Sequence, residues 1–155
     1  MSGSKQNNPA KSLRHRAREL ALQGIYEWRL SGKSASLIEK GTRDEKSLGR
    51  YDAEFFGQLL NGVIAQHETL SAQIAPHLDR KLEELSPVEY SVLLLGAFEL
   101  AQHPEIPYRV VINEAVELAK TFGGSDGHKF VNGVLDKLAA QLRAAEVKAK
   151  PVTRR

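Results

Sequence analysis

The chain has 155 residues, 41 % of them apolar and 26 % charged, which suits one domain with a real hydrophobic core. It contains no cysteine, which excludes a disulfide framework, a zinc–thiolate site and a cysteine nucleophile. The net charge of +3 hides an uneven distribution: residues 1–18 hold five Lys/Arg and no acid, residues 142–155 hold five against one Glu, and the stretch between holds twelve against eighteen Asp/Glu. An acidic body with basic ends points to a polyanion partner, the alternative being two solvated tails.

The first ten residues, "MSGSKQNNPA", read as a disordered leader with no apolar signal segment. From Leu13 the apolar residues Leu13, Ala17, Leu20, Ala21, Gly24 and Trp28 recur at helical spacing and share one face. This helix is expected to end near "SGKS". Residues 31–50 are polar with Gly and Ser, and are read as a loop with at most one short turn. Tyr51, Phe55, Leu59, Val63, Leu70 and Ile74 predict one long or two consecutive helices, which Pro76 interrupts.

"LSPVEYSVLLLGAFELAQH" is the clearest element. Ser86 suits an N-cap, Pro87 the first helical position, and Glu89 the third, as in a capping box. The apolar residues from Val88 to Leu100 surround the axis, so this helix is expected to be central and buried. "HPEIP" ends it. The next helix, "YRVVINEAVELAKTF", turns Val111, Ile112, Ala115, Leu118, Ala119 and Phe122 inward, and "GGS" is expected to stop it by left-handed glycine capping. Ser125 or Asp126 then caps a last helix with a stripe of Val131, Val134, Leu135, Leu138 and Leu142. With no alternating strand pattern, the fold class is all-α, a compact bundle of about six or seven helices over residues 11–145. Residues 146–155 are read as a basic disordered tail. The longest apolar run, "VLLLGAF", is too short for a bilayer span, so no membrane association and a cytoplasmic location are expected.

Enzyme templates fail. There is no "HExxH", no Walker loop and no Rossmann fingerprint, and His15, His67, His77, His103 and His128 lack metal-ligand spacing. No metal, cofactor or catalytic residue is expected. The glycine-rich "FGGSDGHK" leads into a helix N-terminus, but no strand precedes it and Asp126 opposes an anion. Glu83 and Glu84 are adjacent and read as surface charge. Binding is better supported. On the first helix the pole opposite the core carries His15, Leu22 and Tyr26, with Arg14 and Arg18 on one flank and Arg16 on the other. Arginines hold phosphates and an outward aromatic stacks on a base, so this face suits single-stranded nucleic acid; for Tyr26 the alternative is packing against a helix or a partner protein. The arginines also fall in what reads as the first turns of the helix, where the macrodipole repels cations. Phe130 lies at the edge of its helix's core stripe.

Together, "RHRARELALQGIYEW", "PVEYSVLLLGAFEL", "IPYRVVINEAVELAKTFG" and "HKFVNGVLDKL" resemble the NusB family of bacterial transcription antitermination factors, from about Arg14 to Leu138. The resemblance implies an all-helical fold of two small packed bundles. It implies binding of boxA RNA, preferably together with the ribosomal small-subunit protein NusE, in an assembly on RNA polymerase that suppresses termination, notably in ribosomal RNA operons. Carried over residue by residue, it nominates Arg14, Arg16, Arg18 and Tyr26 for RNA, with Lys129 and Phe130 on a second RNA-facing segment. Glu83 and Glu89 fall where family members meet the ribosomal protein or its RNA, and Asp126, on the same RNA-facing segment "SDGHKF" as Lys129 and Phe130, is nominated with them as a partner contact. Phosphate charge would then offset the dipole's opposition to the arginines. Glu89 and Asp126 have a local reading as well, as capping residues, and both roles can hold. Two residues depart from the family pattern: His15 interrupts the arginine run, and His77 replaces an aromatic of some relatives. An outward Leu22 would serve a homodimer or a partner. The alternative function is a helical protein–protein adaptor with no intrinsic RNA affinity. NusB-like domains also occur fused to RNA methyltransferases, but this chain has no room for a cofactor-binding α/β domain.

Overall fold

The computed structural model describes residues 9–124 and 126–149. Among them are seven α-helices and no strand: α1 (Pro9–Ser31), α2 (Ala35–Asp44), α3 (Ala53–Ile74), α4 (Pro87–Gln102), α5 (Tyr108–Phe122), α6 (Gly127–Leu142) and α7 (Ala144–Lys148). The all-α class expected from periodicity holds. No helix among the described residues is long and apolar enough to cross a membrane. The chain divides into two compact units, one ending at Ala65 and the other beginning at Gln66. The division falls inside α3, which is one continuous helix and not two.

In the first unit α2 packs on α1. The sequence reading assigned this segment to a loop, and the structure corrects it. Ser34 takes an extended backbone and its hydroxyl accepts from the Leu37 N–H at 3.2 Å, which satisfies one of the orphan donors of a helix start. Only Ile38 of α2 is buried, and Leu37 is 61 % exposed; the helix is short and mostly polar, and its few apolar residues are easily read as part of a loop. Burial on α1 is wider than a single face: Ala17, Arg18, Leu20, Ala21, Leu22 and Ile25 are all buried, while Trp28 is half-buried. Leu22 therefore offers no surface to a second copy. Arg18, Leu22 and Ile25 lie at i, i+4 and i+7 and form a second inward stripe. Asp52 starts α3, accepting from the Phe55 N–H at 2.9 Å while its own N–H donates to the Leu13 carbonyl at 3.1 Å.

The second unit is built around α4. Ser86 and Glu89 close the expected capping box, with Pro87 at the first turn, and every residue from Tyr90 to Leu100 is buried. Helices α5 and α6 pack on α4 and on each other. The buried residues of α5 are Val111, Ile112, Ala115, Leu118 and Ala119; Phe122, expected with them, is half-buried. The end of α5 corrects a second expectation. Gly123 is extended (φ −103°) and not left-handed. Its N–H closes on the Ala119 carbonyl at 2.8 Å, and a Cβ there would come within 2.7 Å of that same oxygen. Close backbone approach, not handedness, requires the glycine. The left-handed glycine stop lies at the end of α1, at Gly32 (φ 76°).

The C-terminal boundary also differs from expectation. Arg143, counted among the basic residues of a solvated end, is only 8 % exposed. Its five N–H groups find five acceptors: Nε donates to the Leu100 carbonyl (2.7 Å), Nη1 to the Ile106 carbonyl (3.0 Å) and Glu146 Oε1 (2.6 Å), and Nη2 to the carbonyls of Glu99 (3.3 Å) and His103 (2.9 Å). The four carbonyls belong to the end of α4 and the turn that follows; those of Glu99 and His103 also accept the His103 and Ile106 N–H groups, so Arg143 takes up their second lone pairs. Glu146 Oε2 in turn accepts from the Tyr108 N–H at 2.9 Å, at the start of α5. The chain is thus helical to Lys148, past the boundary composition suggested. The leader residues 1–8 and the last residues 150–155 lie outside the described residues, as does Ser125.

Two outcomes follow from this node. Arg143→Lys keeps the charge but supplies three donors for five acceptors; a buried acceptor left unpaired costs about 1–3 kcal/mol, and urea denaturation should show a loss of that size. The Tyr108 N–H, then Arg143, hold the Glu146 carboxyl below its ordinary value of 4.5. A depressed carboxylate contributes stability fully above its unfolded pKa and loses it as pH falls through the folded one. Melting temperatures of the native protein and Glu146→Gln should therefore differ at neutral pH and converge as pH drops below about 4.5.

Candidate nucleic-acid interface

Helix α1 starts at Pro9, so Arg14, Arg16 and Arg18 are its sixth, eighth and tenth residues. The dipole acts mainly over the first turn, and the conflict suggested by the sequence largely disappears. The three arginines meet different surroundings. Arg14 is partly exposed; its guanidinium lies 4.4 Å from the centroid of the Phe55 ring, and its Nε is 3.8 Å from Asp52 Oδ2. Arg16 donates from Nε and Nη2 to the Leu48 carbonyl, both at 3.3 Å, and from Nη1 to Glu19 Oε1 at 3.0 Å. It clasps the single helical turn Lys46–Leu48 to α1. Arg18 is 3 % exposed and lies 5.0 Å from the same Phe55 ring centroid. The flanking, outward position expected for Arg18 is overturned: it is a buried cation against an aromatic ring. His15, between them, faces Glu19 at 3.4 Å.

Tyr26 is 38 % exposed, outward as its helical phase places it. From Arg14 to Tyr26 the helix rises roughly 18 Å, enough for a few nucleotides. The first unit thus presents two accessible arginines at one end of α1 and a solvent-facing aromatic further along it.

The second unit gathers a different set. Glu83 lies exposed on the helical turn Leu82–Glu84. Glu89 Oε1 accepts from the Ser86 N–H at 3.2 Å; its Oε2 borders Gly127, where a Cβ would stand 3.2 Å away. The carboxylate therefore closes the α4 cap and lies against the start of α6. Asp126 occupies the N-cap position of α6 but makes no side-chain cap bond. Its backbone (φ −113°, ψ 3°) is not the extended form that aims a capping oxygen at the helix. Lys129 is exposed and Phe130 half-buried. His77, the departure from the family pattern, pairs its Nε2 with Gln141 Oε1 at 2.8 Å.

Sequence reading missed Arg80. Its guanidinium stacks over Phe130 at 4.1 Å from the ring centroid. Arg80 sits in a non-helical turn between α3 and α4, where periodicity carries no information, and only the turn's path brings it to α6. Arg143 was missed for a related reason: a basic residue near a basic end looks solvated until its acceptors are placed.

Comparison with known proteins gives concordant results. The family model described as "NusB family" matches residues 15–140. A transcription antitermination protein NusB from Nitrosospira multiformis is 62 % identical over 86 % of this chain and 84 % of its own length. That of Paraburkholderia phytofirmans is 60 % identical over 90 % and 96 %. Among solved structures, a crystal structure of antitermination factors NusB and NusE in complex with dsRNA superposes with a TM-score of 0.75 at 29 % identity, covering 84 % of this chain and 98 % of that one.

The geometry of Glu89 sets a local test. Glu89→Ala removes the acceptor of the Ser86 N–H and should lower stability by about 0.5–2 kcal/mol, the range for a lost cap. Glu89→Gln retains the capping-box oxygen and should recover most of that loss in the same thermal denaturation series.

Proposed function

The chain belongs to the NusB family, and on that footing we propose that it is a transcription antitermination factor that binds boxA RNA together with the ribosomal protein NusE. In this role it joins an assembly on RNA polymerase in the cytoplasm and suppresses termination, notably in ribosomal RNA operons. The observation that carries the reading is the 62 % identity, across most of both chains, with a transcription antitermination protein.

The residues suit the task in separate ways. Arg14 and Arg16 are the phosphate contacts of α1. The 3.8 Å approach of Arg14 to Asp52 is a long, partly exposed ion pair, a kind worth little in water, so a phosphate can compete for it. Arg16 gives three of its donors to Leu48 and Glu19, which fixes the direction of its charge. Arg18 is excluded from phosphate contact by burial and acts by holding Phe55 and α1 in place. Tyr26 offers a base-stacking face. On the second unit Lys129 and Phe130 are RNA contacts by family resemblance, and Glu83, Glu89 and Asp126 supply acidic contacts to the basic ribosomal partner, which steer association.

Anisotropy titrations of a short boxA RNA, with and without NusE, test this reading. Binding that is equally weak in both, or undetectable, would favour the adaptor alternative. Arg14→Gln and Arg16→Gln should each flatten the log–log salt dependence by about 0.7, the value for one phosphate contact to a single strand; Arg18→Gln should lower the melting temperature and leave the slope unchanged. Tyr26→Ala should weaken RNA binding by about 1–3 kcal/mol with little loss of stability, because the ring is exposed. A sharp fall in melting temperature with intact RNA affinity would instead mark Tyr26 as a packing residue.

A further inference from the structure

A cleft of about 210 Å³ between α5 and α6 is lined by Arg109, Ile112, Asn113, Asn132 and Asp136. Helical spacing builds its walls. Arg109 and Asn113 lie at i and i+4 on α5, Asn132 and Asp136 at i and i+4 on α6, so each helix lends one face. Ile112 is the buried apolar contribution, and the four polar residues are exposed. Among the described residues, the side chains of Asn113, Asn132 and Asp136 have no hydrogen-bond or ion-pair partner, and the Arg109 guanidinium meets only the ring of Tyr108, 5.2 Å from its centroid. Elsewhere on α5 an exposed carboxylate finds a cation: Glu117 lies 3.7 Å from Lys120. Arg109 and Asp136 border one cleft and stay apart.

A second observation lies beside the cleft. Gly133, next to Asn132, is exposed in the interior of α6. A Cβ there would meet no atom within 4 Å, and its backbone is not left-handed. Glycine weakens a helix interior, and nothing among the described residues requires it here. It leaves a bare stretch of α6 backbone that another chain can approach closely.

The lining chemistry selects the visitor. A carboxamide both donates and accepts, as a peptide unit does, so two carboxamides on opposite walls match a main chain laid between them. A guanidinium forks onto a carboxylate, and a carboxylate accepts from lysine or arginine. A nucleic-acid backbone carries one sign of charge and would meet Asp136 in its path. An extended peptide advances about 3.3 Å per residue, so a cleft of this size takes a few residues.

We propose that the cleft between α5 and α6 docks an extended segment of a partner protein, with Asn113 and Asn132 holding its main chain, Arg109 taking an acidic side chain and Asp136 a basic one. Asn132 lies about 200° round α6 from Phe130, so the site is separate from that ring. The inference does not rest on RNA binding.

The test selects a random heptapeptide phage library on the full chain, then synthesises the strongest binder and titrates it by calorimetry. Selected peptides should carry an acidic and a basic residue within about three positions of each other. Asn113→Ala and Asn132→Ala should each weaken the synthetic peptide by about 5- to 30-fold, the loss of one or two hydrogen bonds. Replacing the peptide's basic residue by glutamine should cost affinity for the native protein and nothing further for Asp136→Asn. Gly133→Ala should raise Tm by about 2–4 °C and still weaken the peptide, a combination that a merely structural glycine would not give. None of these variants should change affinity for boxA RNA. Selection of no peptide would overturn the site, and so would a peptide bound equally well by Asn113→Ala, Asn132→Ala and the native protein. Lost RNA affinity in these variants with the peptide unaffected would assign the cleft to nucleic acid and overturn the proposal. Failure of the unmodified protein to bind boxA RNA, with the peptide results intact, removes the functional reading alone.

Discussion

The second unit depends on one buried guanidinium. Near the end of α4 the Leu100 carbonyl faces Pro104, which has no N–H to give, while the Glu99 and His103 carbonyls accept backbone N–H groups and keep a second lone pair free. Arg143 reaches these oxygens from the far end of α6, donating to four carbonyls and one carboxylate. Glu146 then passes the link on to the first N–H of α5. One residue pair thus fixes where α4 stops, where α5 starts and where the chain leaves α6. The frame on which Glu89, Gly127 and Phe130 are carried is held at its opposite end by this pair. A hydrophobic residue of equal size could fill the space but could not satisfy the carbonyls, so the burial of a charge here is a consequence of how the helices end.

Arginine does three distinct jobs within one turn and a half of α1. Arg18 is buried beside an aromatic ring, Arg16 clasps a neighbouring turn, and Arg14 stands partly exposed between a ring and a carboxylate. The same delocalised, weakly hydrated cation allows all three, because it packs through its faces and bonds through its edges. In the proposed function the basic face is selective for that reason: of three cations that look equivalent along the sequence, two are available to phosphate and the third maintains the surface that presents them.

Acidic residues carry a comparable double use in the second unit. Glu89 satisfies a helix start through one oxygen and lies against Gly127 with the other. This preorganises a negative charge at the start of α6, since the cap has already ordered the side chain.

Local chemistry determined a large part of this protein. Ser86, Pro87 and Glu89 write the start of α4 within four residues, the all-round apolar run from Val88 to Leu100 makes it central, and the 3.6-residue rhythm of α5 and α6 selects most of their buried faces. Tyr26 could be placed outward because a helical phase is a short-range property. Family resemblance, also carried by the sequence, supplied the function. The tertiary structure alone decided matters that hinge on partners distant in the chain. Helix α2 is short and mostly polar, and only Ile38 of it is buried. Arg18 and Leu22 are buried because α1 is covered on more than one side, which a helical wheel cannot express. Gly123 is required by the approach of a carbonyl and not by a turn type. Arg80 reaches Phe130 across 50 residues, and Arg143 finds four carbonyls some 40 residues before it. A charged side chain carries the same signal in sequence whether it meets water, a ring or a row of carbonyls, and only the folded path of the backbone chooses among them.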